Sequence, residues 1–257
     1  MADSMDTKTI EAAAYDTDKA EHPHYLRSYE QYFRPLLGKE IKLLELGVYR
    51  GGSLLLWRDY FEKGLIVGLD LHPVALDDPS GRIRIYQGMQ QDTALLDRIA
   101  RETAPEGFDV IIDDCSHIGE LTRISFWHLF DHHLKPGGLF VIEDWSCSYW
   151  NSWFDGVSFR NEPKLGFSPA FFRLRSLVAH AQRSMPALAP LLRAAKVPLN
   201  RRQFRSHNYG VVGFVKELVD ECGMADITRE DRGTPPHRPS KFREMRISSG
   251  PVFIVKA

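Results

Sequence analysis

The chain has 257 residues, 43% apolar and 26% charged, enough for one large domain with its own core. Its 33 basic and 34 acidic side chains leave a net charge of −1, which argues against a global nucleic-acid footprint. No apolar run nears the roughly 20 residues of a membrane span, the start lacks a signal peptide's basic and apolar regions, and Cys115, Cys147 and Cys222 suit neither a disulfide framework nor a CxxC metal site. A cytoplasmic location is expected.

Residues 1–14 read as a frayed or helical leader with few apolar anchors. Tyr25, Tyr29, Tyr32, Phe33 and Leu36 recur at helical spacing, so the spacing predicts a packed helix over 25–37. Strands are expected at 41–46, 65–71, 83–86, 108–112 and 139–142, the last after the turn Lys135-Pro136-Gly137-Gly138. Helices are expected between them: 53–61 with Ser53 near its N-cap, 93–102 and 118–130. A helix over 211–222 and a hairpin around Ser249-Gly250-Pro251 complete the chain. Strands alternating with helices, each nearly continuous in apolar character, imply an α/β fold: a doubly wound, mostly parallel sheet.

Residues 160–205 break this alternation, with ten Lys or Arg against the single acid Glu162. They read as a basic helical insertion that is solvated, serves as a lid with affinity for anionic groups, or touches a membrane surface; the lid is preferred to the membrane contact.

In such sheets ligands bind beyond the carboxyl ends of the strands, where strand order reverses. After the first strand come Glu45-Leu46-Gly47-Val48-Tyr49-Arg50-Gly51-Gly52-Ser53. Glycines there permit a tight turn and a close backbone approach to a ligand. The spacing is neither GxGxxG nor GxxxxGK[ST], which disfavours a nicotinamide dinucleotide and excludes a P-loop. Asp70 ends the second strand, where a carboxylate can accept the hydroxyls of a ribose. Gln90 and Asp92 follow the third, placed for an adenine edge, although Asp92 could equally cap the next helix.

Two acidic strand ends carry the sharpest signal. Asp113-Asp114-Cys115-Ser116-His117 follows the fourth strand and Glu143-Asp144 the fifth. If these strands are neighbours, the crowded carboxylates repel, and an all-oxygen set of this kind suits Mg²⁺. His117 is then placed to act as a general base.

The set Glu-Leu-Gly-x-x-x-Gly-Gly-Ser, Asp70, Asp-Asp-x-Ser-His, Lys-Pro-Gly-Gly and Val-Ile-Glu-Asp resembles the class I S-adenosylmethionine-dependent methyltransferases. More narrowly it resembles the Mg²⁺-dependent sugar O-methyltransferases of macrolide and related antibiotic pathways, and cephalosporin-hydroxylase-like proteins share much of it. Thr17-Asp18-Lys19 with His24, Tyr25, Tyr29 and Glu30 is similar to the lead-in of that group. The resemblance implies a seven-stranded Rossmann-like domain over 39–257, preceded by a helical lead-in at 1–38. It implies that Glu45, Gly47, Gly51 and Ser53 hold the methionine end of S-adenosylmethionine, Asp70 its ribose, and Gln90 with Asp92 its adenine side. Asp113 would face the cofactor, Asp114, Glu143 and Asp144 would ligate Mg²⁺, and His117 would deprotonate the acceptor. The implied acceptor is a glycosylated natural product or glycan, the implied assembly a homo-oligomer. A catechol-like or other small vicinal diol, or a cofactor-binding scaffold without turnover, remains as an alternative. An RNA substrate is disfavoured by the neutral charge and the lack of an aromatic-basic RNA-binding module.

Overall fold

The computed structural model describes residues 8–21, 23–157, 169–188, 190–191, 207–223 and 238–257. The chain forms two compact units, Met1–Val157 with Tyr209–Ala257, and Ser158–Asn208. In the second, a helix spans Pro169–Ser184 (α5), followed by a 3-10 turn at Pro186–Leu188. Most of the basic residues singled out between 160 and 205 lie outside the described residues.

The first unit is built on a seven-stranded sheet. Its strands are β1 (Lys42–Leu46), β2 (Leu65–Asp70), β3 (Ile83–Gln87), β4 (Phe108–Asp113), β5 (Leu134–Ile142), β6 (Phe242–Ile247) and β7 (Val252–Lys256). Their order is β3-β2-β1-β4-β5-β7-β6, with the first five parallel and β7 antiparallel to both β5 and β6. The order reverses between β1 and β4, so the loops leaving these two strands diverge and open a crevice at their carboxyl ends.

Side chains alternate between the two faces with the strand period of two. Leu44, Leu46, Ile111, Phe140, Ile142 and Ile254 join one core with α3 (Thr93–Thr103), α4 (Gly119–His132) and α6 (Gly210–Cys222). Leu43, Val110, Ile112, Val141 and Phe253 join the other with α1 (Pro23–Phe33) and α2 (Gly52–Tyr60). A parallel sheet covered on both faces needs apolar residues at successive positions, which is why these strands read as continuous runs.

Two local expectations are corrected. The start of β5 lies at Leu134, ahead of the Lys-Pro-Gly-Gly turn. Pro136 has no N–H for the ladder, and the register jumps from Phe108↔Leu134 to Val110↔Leu139, so the four residues bulge within the strand. The leader has no helix among described residues 8–14, and its anchors are real: Ile10 and Ala12 are buried against α1 and α2. Lys8 Nζ ties it further to the Tyr60 carbonyl at 3.0 Å. As expected, Ser53 stands near the N-cap of α2, which is Gly51 at φ +88° with no side-chain cap. Ser53 lies inside the helix and donates to Glu45 Oε2 at 2.9 Å.

Candidate active site

The crevice is stitched together by backbone. Gly47 N–H donates to Leu69 O and Asp114 N–H to Leu46 O, each at 2.8 Å, and Glu143 N–H to Asp113 O at 2.9 Å. Gly47 sits at φ +87°, and a Cβ there would fall 2.0 Å from the Asp114 carbonyl oxygen. Only glycine lets the loop after β1 lie this close to the loop after β4. Asp70 secures the other side of that loop. Its Oδ2 accepts the Val48 and Tyr49 N–H groups at 2.8 and 2.9 Å, and its Oδ1 accepts His72 N–H at 2.8 Å. Burial raises its pKa, but these three N–H donors outweigh that and hold it below the usual carboxylate value. A carboxylate has about four lone-pair sites, and three of those of Asp70 are occupied by backbone N–H groups.

The strands β4 and β5 are neighbours, and their acidic ends do meet. Alternation sends the first acid of each pair in opposite directions. Asp113 continues the face of Ile111 toward α4, where its Oδ2 accepts from Ser125 Oγ at 3.0 Å and from the Gln90 amide at 3.2 Å. Burial pushes its carboxyl up to about 6. Glu143 continues the face of Val141 toward α1, where Tyr29 donates to its Oε1 at 2.5 Å. Burial, and next the neighbouring Asp114, push the Glu143 carboxyl up. Asp114, His117 and Asp144 instead place ligand-capable atoms within 4.8 Å of one another. A second such group, Asp97, His128 and His133, joins α3 to the end of α4 by hydrogen bonds of 2.8 and 2.6 Å.

Lys19 sits at the centre of the acidic corner, its ammonium 2.7 Å from Asp114 Oδ2, 3.2 Å from Glu143 Oε1 and 3.6 Å from Glu45 Oε1. It is only 2% exposed. Burial lowers its pKa, and the three carboxylates more than reverse this, leaving it well above the ordinary lysine value. Glu45 is fully buried beneath the Gly47 loop, and burial pushes its carboxyl up to about 7 against the pull of Lys19. Its Oε1 has no hydrogen-bond partner.

A cavity of about 670 Å³ runs along this edge, within the range of small-molecule sites. Gly47, Ser53, Asp70, Asp114, His117 and Asp144 all line it. Among the described residues, the non-glycine residues at positive φ are Tyr49 (54°), His117 (51°) and Asp144 (49°), and all three are on its wall. Such conformations cost of order 1–3 kcal/mol each and collect at functional sites.

Several expected residues do not reach the wall. Glu45, Asp113 and Glu143 stand behind it, turned into the helix layers. Gln90 is buried, its amide spent on Asp113 and its Oε1 accepting Ser116 N–H at 3.2 Å. Asp92 is exposed and caps α3, accepting Leu95 N–H at 3.1 Å; the capping alternative describes it. Gly51 also lies off the wall. Conversely, the lead-in supplies groups with no assigned role in the sequence reading: Lys19 lines the cavity, Tyr25 donates to Asp144 Oδ1 at 2.9 Å, and Tyr29 holds Glu143. The i, i+4 spacing of the two tyrosines was the available signal, since it puts both hydroxyls on one face of α1.

No family model matches the chain. It is 42% identical over 147 residues to the mycinamicin VI 2''-O-methyltransferase of Micromonospora griseorubida, covering 54% of this chain and 36% of that protein. It is 40% identical over 135 residues to the demethylmacrocin O-methyltransferase of Streptomyces fradiae, covering 50% and 32%. Among solved structures, the MycE methyltransferase in complex with Mg, SAH and mycinamycin VI superposes with a TM-score of 0.61 at 28% identity, covering 91% of this chain and 48% of that one. This is a class I methyltransferase fold. The chain spans less than half the length of the relatives it matches. In the methyltransferase fold the Gly47 loop is the glycine turn after β1, and Asp114, His117 and Asp144 line the same cavity. Among the described residues, no helix is long and apolar enough to cross a membrane.

Proposed function

We propose that this chain is a Mg²⁺-dependent S-adenosylmethionine O-methyltransferase acting on a sugar hydroxyl of a glycosylated natural product. The observation that carries this is the single cavity joining the Gly47 loop to Asp114, His117 and Asp144. A methyl donor and an acceptor hydroxyl would share one cavity, the arrangement in-line transfer needs. The names of the relatives point the same way.

On this reading the Gly47 loop and Ser53 receive the methionine end, with Glu45, held by Ser53 and facing Lys19, beneath them. Asp70 takes one ribose hydroxyl with its remaining lone pair. Gln90 and Asp113 brace the Ser116 loop from behind the adenine side, and Asp92 and Gly51 set the starts of the adjoining helices. Asp114 and Asp144 from the wall, and Glu143 from behind it by the carboxylate oxygen that Tyr29 and Lys19 do not hold, would carry the cation; hard oxygen donors crowded at two adjacent strand ends fit Mg²⁺. When bound, the cation supplies positive charge that lowers the pKa of a nearby hydroxyl. His117, on the same wall, accepts the acceptor's proton as its oxygen forms a bond to the methyl carbon and the carbon–sulfur bond breaks. The acceptor enters through the open side of the cavity, where Tyr49 is exposed.

Calorimetric titration with S-adenosylhomocysteine, with and without Mg²⁺, followed by transfer of labelled methyl to a desmethyl macrolide glycoside, tests this. One-to-one binding, transfer abolished by EDTA and restored by Mg²⁺, and loss of transfer in His117→Ala with cofactor affinity retained are expected. Absence of binding in both conditions overturns the reading.

A further inference from the structure

Three carboxylates of the acidic corner, Asp114, Asp144 and Glu143, each have one oxygen already taken by a donor from the lead-in. Lys19 Nζ holds Asp114 Oδ2 at 2.7 Å, Tyr25 Oη donates to Asp144 Oδ1 at 2.9 Å, and Tyr29 Oη donates to Glu143 Oε1 at 2.5 Å. Three different donors from one segment thus do the same thing to three acids. The other oxygen of Asp114, Oδ1, lies 3.9 Å from His117 Nε2, and both residues line the cavity.

These donors are not free to move aside. The Tyr29 ring is fully buried, with centroids 5.0 Å from Phe33, 5.3 Å from Trp57 and 5.2 Å from Phe253. The Tyr25 ring lies one helical turn earlier, seated on Gly250 in the β6–β7 turn; a Cβ at 250 would come within 1.9 Å of its Cζ. Lys19 is enclosed by the acids themselves.

We infer that Lys19, Tyr25 and Tyr29 act as positioning residues that restrict these carboxylates to single-oxygen ligation and so make the corner select Mg²⁺ over Ca²⁺. Calcium takes six to eight oxygens at 2.3–2.6 Å and uses bidentate carboxylates readily, whereas Mg²⁺ wants six at 2.0–2.1 Å and keeps several waters. Capping one oxygen of each of these three acids removes the bidentate mode that Ca²⁺ uses and leaves Mg²⁺ what it needs. This rests on the cation reading above.

The test titrates the full chain, saturated with S-adenosylhomocysteine, with MgCl₂ and separately with CaCl₂ by calorimetry, in wild type and in Tyr25→Phe. The substitution deletes one hydroxyl at a half-buried site and keeps the ring on Gly250. The ratio of Mg²⁺ to Ca²⁺ affinity is expected to fall about tenfold, the worth of one hydrogen bond to a charged group. Tyr29→Phe should lower it similarly through Glu143. Tyr32→Phe is the control: its hydroxyl donates to Glu244 at 2.8 Å, outside the corner, and the ratio should not move. If both cations bind and Tyr25→Phe and Tyr29→Phe leave the ratio unchanged, the selectivity inference is overturned while the cation site stands. If wild type binds neither cation, the cation reading itself fails, and this inference with it.

Discussion

Replacing Lys19 by methionine keeps the length of the side chain and removes its charge. The ammonium lies 2.7, 3.2 and 3.6 Å from Asp114, Glu143 and Glu45. At an effective dielectric near 20, each such pair is worth roughly 5–6 kcal/mol of attraction. Most of that offsets the cost of bringing the charges out of water and the mutual repulsion of the acids. What is lost when one partner of a buried pair is removed is about 3–5 kcal/mol, because the remaining charges stay buried without compensation. In a unit of this size that lowers Tm by roughly 6–20 °C. The sign with pH follows. The folded-state pKa of Lys19 is raised, so its contribution is fully present below the unfolded value near 10.4 and is whole at neutral pH. In the variant the uncompensated acids are relieved by protonation, so the deficit should be larger at pH 8 than at pH 5.5 and should shrink with millimolar Mg²⁺. Thermal unfolding by circular dichroism at the two pH values, with and without MgCl₂, measures all of this. A Lys19→Met protein melting within 2 °C of wild type at pH 8 would refute the electrostatic account of the corner.

Three further outcomes are expected. Gly47→Ala must place a Cβ 2.0 Å from the Asp114 carbonyl oxygen at φ +87°; it should destabilise the fold by more than ~1 kcal/mol and weaken S-adenosylhomocysteine binding in calorimetry, and unchanged affinity would show that the loop contact is dispensable. At Asp78, burial raises the pKa, but hydrogen bonds from Ser80, Ile83 and Arg58 prevail and hold it at about 2. A depressed carboxylate stabilises above its unfolded pKa near 3.9 and loses that benefit as pH falls toward 2, so the gap in urea midpoint between wild type and Asp78→Asn should narrow between pH 6 and pH 2.5; a gap independent of pH contradicts the linkage. Phe126 is fully buried, its ring centroid 4.6 Å from Phe140 and 5.0 Å from Phe130, and truncation to alanine should cost about 3–5 kcal/mol in chemical unfolding. A loss below ~1 kcal/mol would mean that this core repacks around the gap.

The sheet was legible in the sequence because parallel strands covered on both faces must be apolar at successive positions, and the runs 41–46, 65–71 and 108–112 are nearly so. The glycine turn and the two acidic strand ends were legible because strand ends follow from the alternation of elements, while the adjacency of β4 and β5 came only with the fold. Local sequence could not say which helix covers which face, and that decided the roles of Asp113 and Glu143. Each is the first acid after its strand, yet one is sent to Ser125 on α4 and the other to Tyr29 on α1, leaving Asp114, His117 and Asp144 on the cavity wall. Nor could it reveal that Lys19, 95 positions before Asp114, supplies the buried counter-charge, since an ion pair of that sequence separation exists only once the lead-in has folded back across the strand ends. Composition and period therefore determined the layers and the edge where chemistry collects. Tertiary contact alone, through which face each side chain takes and what distant charge meets it there, decided which of the acids are open to a ligand.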